Sequence, residues 1–117
     1  MFYPKLFSVL GLLGVALGAF GAHGLKNKVS PEYLENWKTA TLYLFIHILA
    51  GLISYYVTDK NRSQLFFAIG CMIFSGSLFL LVLLNLPILG AITPIGGVSF
   101  MLGWVFLFFD INKKKLI

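Results

Sequence analysis

The residues able to do chemistry in this chain are few: two histidines, His23 and His47, one cysteine, Cys71, and hydroxyl and amide side chains scattered through apolar sequence. Two imidazoles raise the question of a metal or haem. Their places in the chain put them at different depths, and no third strong ligand is evident, so neither metal nor cofactor is expected. A single cysteine can form no intramolecular disulfide and no thiolate cluster. Inside an apolar run it behaves as a small hydrophobe. No nucleophile, base and orienting group can be assembled from the remaining residues, so no catalytic residue is assigned.

What must position these residues is a lipid-embedded framework. The 117 residues are 59% hydrophobic and 11% charged, against roughly 45–50% and 25% in soluble domains. Four apolar runs, at about 6–23, 39–58, 65–84 and 92–109, divide the chain. Each is close to the roughly 20 residues that cross a bilayer core as a helix. Backbone groups in lipid must bond within their own segment, which makes these runs helices. The expected fold is an all-α, four-helix transmembrane bundle with short loops, one domain over residues 1–117. The first run follows Lys5 in the manner of a signal peptide, but it is long for one. Leu17 or Phe20 also falls where a cleavage site wants a small residue, so an uncleaved helix is expected.

The longest connection carries its own helix start: Ser30 as cap, Pro31 at the first helical position and Glu32 at the positive end of the dipole. A short interfacial helix before the second span follows, with Tyr33 and Trp37 on one face and Trp37 anchored among headgroups.

The net charge is +5. Lys5, Lys60, Arg62, Lys113, Lys114 and Lys115 fall on one side of a four-span chain; Lys26, Lys28 and Lys38 fall on the other. The positive-inside rule then puts both termini in the cytoplasm, in a multi-pass protein of the cell (inner or plasma) membrane. Basic residues flanking apolar runs are topology signals, not the clustered face of a nucleic-acid binder, and no nucleic acid is expected as a partner.

Small residues mark where helices meet. Gly11, Gly14, Gly18 and Gly21 share one face of the first span, and Gly14-x-x-x-Gly18 is a close-packing motif. Gly51, Gly76, Gly96 and Gly97 offer similar room in the other spans. The second span lines up Ala40, His47, Gly51, Ser54 and Thr58 on a stripe that should face the bundle. His47 lies about 12 Å below the outer end of that span at 1.5 Å per residue. An ionisable group at such depth is either hydrogen-bonded in its neutral form or functional. His23, Trp37, Tyr43, His47, Ser75, Ser77, Asn85 and Thr93 together form a candidate polar pocket, with the two histidines, Asn85 and Thr93 toward the outer half of the membrane.

Several blocks are similar to one known family. Gly18-Ala19-Phe20-Gly21-Ala22-His23-Gly24-Leu25, Trp37-Lys38-Thr39-Ala40 with Tyr43 and His47, Phe74-Ser75-Gly76-Ser77, and Thr93-Pro94-Ile95-Gly96-Gly97 with Gly103-Trp104 resemble the YgdD/YwdK family. Those are small four-span proteins of bacterial inner membranes, with a relative in animals. The resemblance implies a four-helix membrane protein and brings no catalytic residues. Two functions follow as expectations. One is non-enzymatic binding of membrane lipids or a membrane partner through glycine-lined faces, with a homo-oligomer as one form. The alternative is a small-molecule or ion transport subunit with an outer-leaflet pocket around His23, His47 and Thr93.

Overall fold

The computed structural model describes residues 1–112. Among these residues, four helices are long and apolar enough to cross a membrane. They are α1 (Phe2–His23), α2 (Pro31–Val57), α3 (Arg62–Leu84) and α4 (Thr93–Asp110). The basic run at 113–115 lies outside the described residues.

Local chemistry accounts for the helix ends. Ser30 Oγ accepts the Tyr33 backbone N–H at 3.1 Å, and Pro31 follows at the first helical position. The helix begun there continues without a break into the second span, giving 27 residues in one piece. At 1.5 Å per residue this is about 40 Å, longer than the roughly 30 Å hydrocarbon core. Its first turns therefore stand in the headgroup layer. At the far end of α3, Asn85 adopts φ 52°, and the Leu86 N–H bonds back to the Leu81 carbonyl at 3.0 Å. Asparagine tolerates this left-handed position better than most residues do. A 3₁₀ turn, Pro87–Ala91, then delivers the chain to α4.

The helices α2 and α3 form the centre; α1 packs on α2, and α4 packs on α3. Both outer contacts are built by setting large side chains over glycines. Between α1 and α2, Phe7 fills the space over Gly51, Leu44 and Phe45 close on Gly14, and Trp37 covers Gly21. Phe7, Gly14 and Gly21 recur at seven-residue steps, matched in reverse by Gly51, Leu44 and Trp37. That heptad spacing keeps one seam facing the partner helix along its length. Between α3 and α4, Phe67 lies over Gly103, Phe100 over Gly70, and the Phe74 backbone against Gly96. Here the steps are three and four residues on each helix, running in opposite directions.

The third span holds a feature the apolar pattern does not announce. Cys71–Ser75 is wound as a π-helical turn. The Ser75 hydroxyl within it donates to the Ala40 carbonyl at 2.8 Å, tying α3 to α2. Gly96 of α4 approaches the backbone of this same turn.

Two glycines in neighbouring parts of the bundle should respond oppositely to alanine. A Cβ at Gly96 would collide with the Phe74 backbone, whereas one at Gly76 meets nothing within 4 Å. Thermal unfolding in mild detergent should show Gly96→Ala destabilised by about 1–3 kcal/mol, the usual range for overpacking. Gly76→Ala should be neutral or slightly stabilising, since alanine is the better helix former.

Candidate functional site

His47 is the buried polar residue around which most aromatic side chains gather. It is 4% exposed, on the α2 face turned toward α3 and α4. Its ring stacks on Phe100 with centroids 3.6 Å apart and planes 11° from parallel. Nδ1 lies 2.8 Å from the Tyr43 carbonyl, which can only accept, so Nδ1 carries the proton. Nε2 accepts the Trp104 indole N–H at 3.0 Å. The arrangement fits one neutral tautomer, and both nitrogens are occupied.

The level of this ring follows from the glycine contacts. On α2, His47 lies between Leu44, beside Gly14, and Gly51, beneath Phe7. It is therefore abreast of the middle of α1. Its partner Trp104 is about 16 Å along α4 from Thr93 at 1.5 Å per residue. The sequence expectation grouped His47 with His23, Asn85 and Thr93; the structure separates it from them by depth. Counting residues down one span cannot see the cross-helix register that pairs His47 with Trp104.

The other candidate residues fall into separate groups. His23 is exposed at the end of α1. Asn85 accepts the Tyr33 hydroxyl at 2.8 Å. The Ser77 and Thr93 hydroxyls are 2.6 Å apart and join α3 to α4, while Ser75 bonds α2. Tyr43 stacks on Phe74 at 4.7 Å and flanks His47. Trp37 is 1% exposed, its ring turned inward between helices: its N–H donates to the Leu17 carbonyl at 2.8 Å. Gly21, four residues on from Leu17, has no side chain to block the indole. Sequence reasoning missed Trp104 and Tyr33 as partners, because each is remote in sequence from the group it bonds.

The α2–α3 turn and the end of α4 are tied by charge. Arg62 grips Asp110 through Nε at 3.0 Å and Nη2 at 2.5 Å, and its guanidinium lies 4.5 Å over Phe106. Opposite charges at adjoining ends of neighbouring antiparallel helices were the available signal.

On the outside of the α1–α2 seam runs a groove of about 360 Å³. Gly18, Gly21 and Ala22 form one wall; Trp37, Thr41, Leu42 and Phe45 form the other, with Lys38 at its edge. The Thr41 hydroxyl is turned to the Trp37 carbonyl at 3.0 Å, so the groove surface is almost wholly apolar, with Lys38 the one charged residue in its lining.

The chain is similar to several membrane proteins. The family model described as "Protein of unknown function (DUF423)" matches residues 17–97. A UPF0382 membrane protein of Staphylococcus aureus is 46% identical, over 88% of this chain and 92% of its own. The UPF0382 membrane protein YwdK of Bacillus subtilis is 42% identical, over 88% and 93%. A UPF0382 membrane protein of Staphylococcus saprophyticus is 45% identical over the same shares. No solved structure matches.

If His47 serves to join helices, its bond to Trp104 should appear as a coupling energy. A double-mutant cycle with His47→Leu and Trp104→Phe, read by unfolding in detergent, should give about 0.5–2 kcal/mol, the range of hydrogen bonds between membrane helices. Additive single effects would mean that the bond contributes nothing.

Proposed function

The chain belongs to the DUF423 family of membrane proteins, and on that premise we propose that it is a non-enzymatic binder of anionic phospholipid. One acyl chain lies in the α1–α2 groove, and the lipid phosphate meets Lys38. The observation that carries this reading is the shape and chemistry of the groove: an apolar trough whose lining includes one charged residue, Lys38. A groove in a bilayer gains little from hydrophobicity, because lipid tails surround it anyway. Retention must come from close packing along the glycine wall and from charge at the headgroup. Lys38 is 3.8 Å from Glu35, but both side chains are well exposed. A surface pair of that kind holds weakly, leaving the amine available to a phosphate.

The transport reading draws on His23, His47 and Thr93 as one pocket. Their separation by depth and the engagement of both His47 nitrogens favour the lipid reading. We also propose that both termini are cytoplasmic, since the ends carrying Lys5, Lys60 and Arg62 share one side of the bundle.

Native mass spectrometry from mild detergent tests the lipid. The wild-type protein should retain phosphatidylglycerol over phosphatidylcholine. A Cβ at Gly18 meets only Thr41 Cγ2, at 3.3 Å, so Gly18→Leu should fold, fill the groove and reduce retention several-fold. Lys38→Gln should abolish the headgroup preference. Equal retention by all three proteins would rule the groove out. For orientation, Asn61→Cys in a Cys71→Ser background should react with an impermeant maleimide in inverted vesicles and stay protected in intact cells.

A further inference from the structure

A second cavity, of about 530 Å³, lies at the end of the bundle where α1 gives way to α2. It differs in kind from the α1–α2 groove. Its lining is Lys28, Val29, Ser30, Tyr33, Val82 and Asn85, drawn from the connecting loop, the first turn of α2 and the end of α3. None of these residues is an acid. The loop that presents Lys28 is built, not slack: Leu25 is buried, its carbonyl accepts the Lys28 N–H at 3.0 Å, and Asn27 makes a left-handed turn at φ 64°.

The polar groups around this cleft are unequal in kind. The Tyr33 hydroxyl donates to Asn85 Oδ1 at 2.8 Å. That contact occupies the amide oxygen and leaves the amide N–H₂ as the group with hydrogens to give. Asn85 is itself held at φ 52° by the Leu86-to-Leu81 backbone bond behind it. The Ser30 oxygen accepts the Tyr33 backbone N–H and keeps its own hydrogen to donate. The lining thus carries an ammonium, an amide N–H₂ and a serine O–H with no carboxylate among them, and a cavity whose one charged side chain is a cation selects an anion. Glu32 and Glu35, on the same helix, do not line it.

Its level narrows the anion further. Tyr33 stands about 36 Å along α2 from Val57 at 1.5 Å per residue, beyond a hydrocarbon core of roughly 30 Å. The cleft therefore opens among headgroups, where phosphodiesters are the abundant anions. We propose that this cleft is a phosphate-binding site, held by Lys28 and Asn85 and oriented by Tyr33. It is separate from the groove beside Lys38 and does not depend on that groove being occupied.

The test uses the full-length protein in nanodiscs of phosphatidylcholine, with or without one quarter phosphatidylglycerol, at constant ionic strength. Phosphatidylglycerol should raise the wild-type Tm by several degrees. Lys28→Gln and Asn85→Gly, the latter chosen to keep the left-handed backbone, should each lose at least half of that rise. Lys5→Gln, at the opposite end, should keep it. Inorganic phosphate added to phosphatidylcholine discs separates the two sources. A rise with the same dependence on Lys28 and Asn85 assigns soluble phosphate, and a rise with phosphatidylglycerol alone assigns the lipid headgroup. No rise with either anion, or losses in Lys5→Gln equal to those in Lys28→Gln, would overturn the proposal.

Discussion

The bundle depends on backbones approaching closely where glycine allows it. Lipid tails are as apolar as leucine, so helices in a bilayer gain no hydrophobic reward for meeting and must be held by packing and polar bonds. Here each outer seam is made by lowering aromatic or leucine side chains onto glycines of the facing helix. The same contacts set the register. Once Phe7 lies over Gly51 and Trp37 over Gly21, the level of every residue between them on α2 is determined. Phe67 on Gly103 and the Phe74 backbone on Gly96 do the same for α3 and α4. His47 meets Trp104 once the α3–α4 register is tied to α2 by the Ser75 bond to the Ala40 carbonyl, and neither residue could arrange the meeting alone.

That construction leaves polar groups in three tiers with different duties. Among the described residues, no buried side-chain nitrogen or oxygen lacks a partner. In the middle, imidazole, indole and serine hydroxyls stitch helix to helix, as an unmet polar group in hydrocarbon would cost several kcal/mol. At one end, Arg62 and Asp110 clamp α3 to α4, and Asn112 donates its N–H to the Val57 carbonyl at 2.9 Å. At the other end the chain passes through a longer loop, and the polar residues line a cleft instead of filling one. The two ends are chemically unlike: one is sealed by paired charges and the other presents donors.

The spans were legible because hydropathy is a local property, and four runs near bilayer length admit few other readings. Gly11, Gly14, Gly18 and Gly21 were legible as a packing face because small residues at helical spacing have little other use in lipid, but a Cβ at Gly11 meets nothing within 4 Å and only the other three face α2. Their partners were not. A glycine announces space without saying which aromatic will occupy it, and that identity depends on a register set jointly by two helices. Trp37 shows what a depth rule leaves out. A tryptophan near a helix start suggests the level of the headgroups, but not that Gly21 and the Leu17 carbonyl turn its ring inward onto a socket and an acceptor. The π turn at Cys71–Ser75 left no mark in the apolar pattern, since an extra residue in a turn changes phase without changing composition. Asn85 was legible as polar, but its role beside Tyr33 needed the ends of α2 and α3 to be brought together.

The seams also explain where unspent binding capacity lies. A helix fixed along one narrow line must part from its neighbours on either side of that line. Around α1 the parting produces the groove at Gly18 and, on the side facing α3, apolar hollows of about 290 and 130 Å³ that share Met72. Those hollows carry no charge to distinguish one lipid from another, so any tail could fill them in passing. The groove differs by one amine, and the end cleft by an amine and an amide. In a solvent made of amphiphiles, apolar shape alone selects little; a fixed donor at headgroup depth selects sign and size. The interior hydrogen bonds are already committed, those of His47 included, so under both proposals selectivity lies where the bundle meets the headgroups, at Lys38, Lys28 and Asn85.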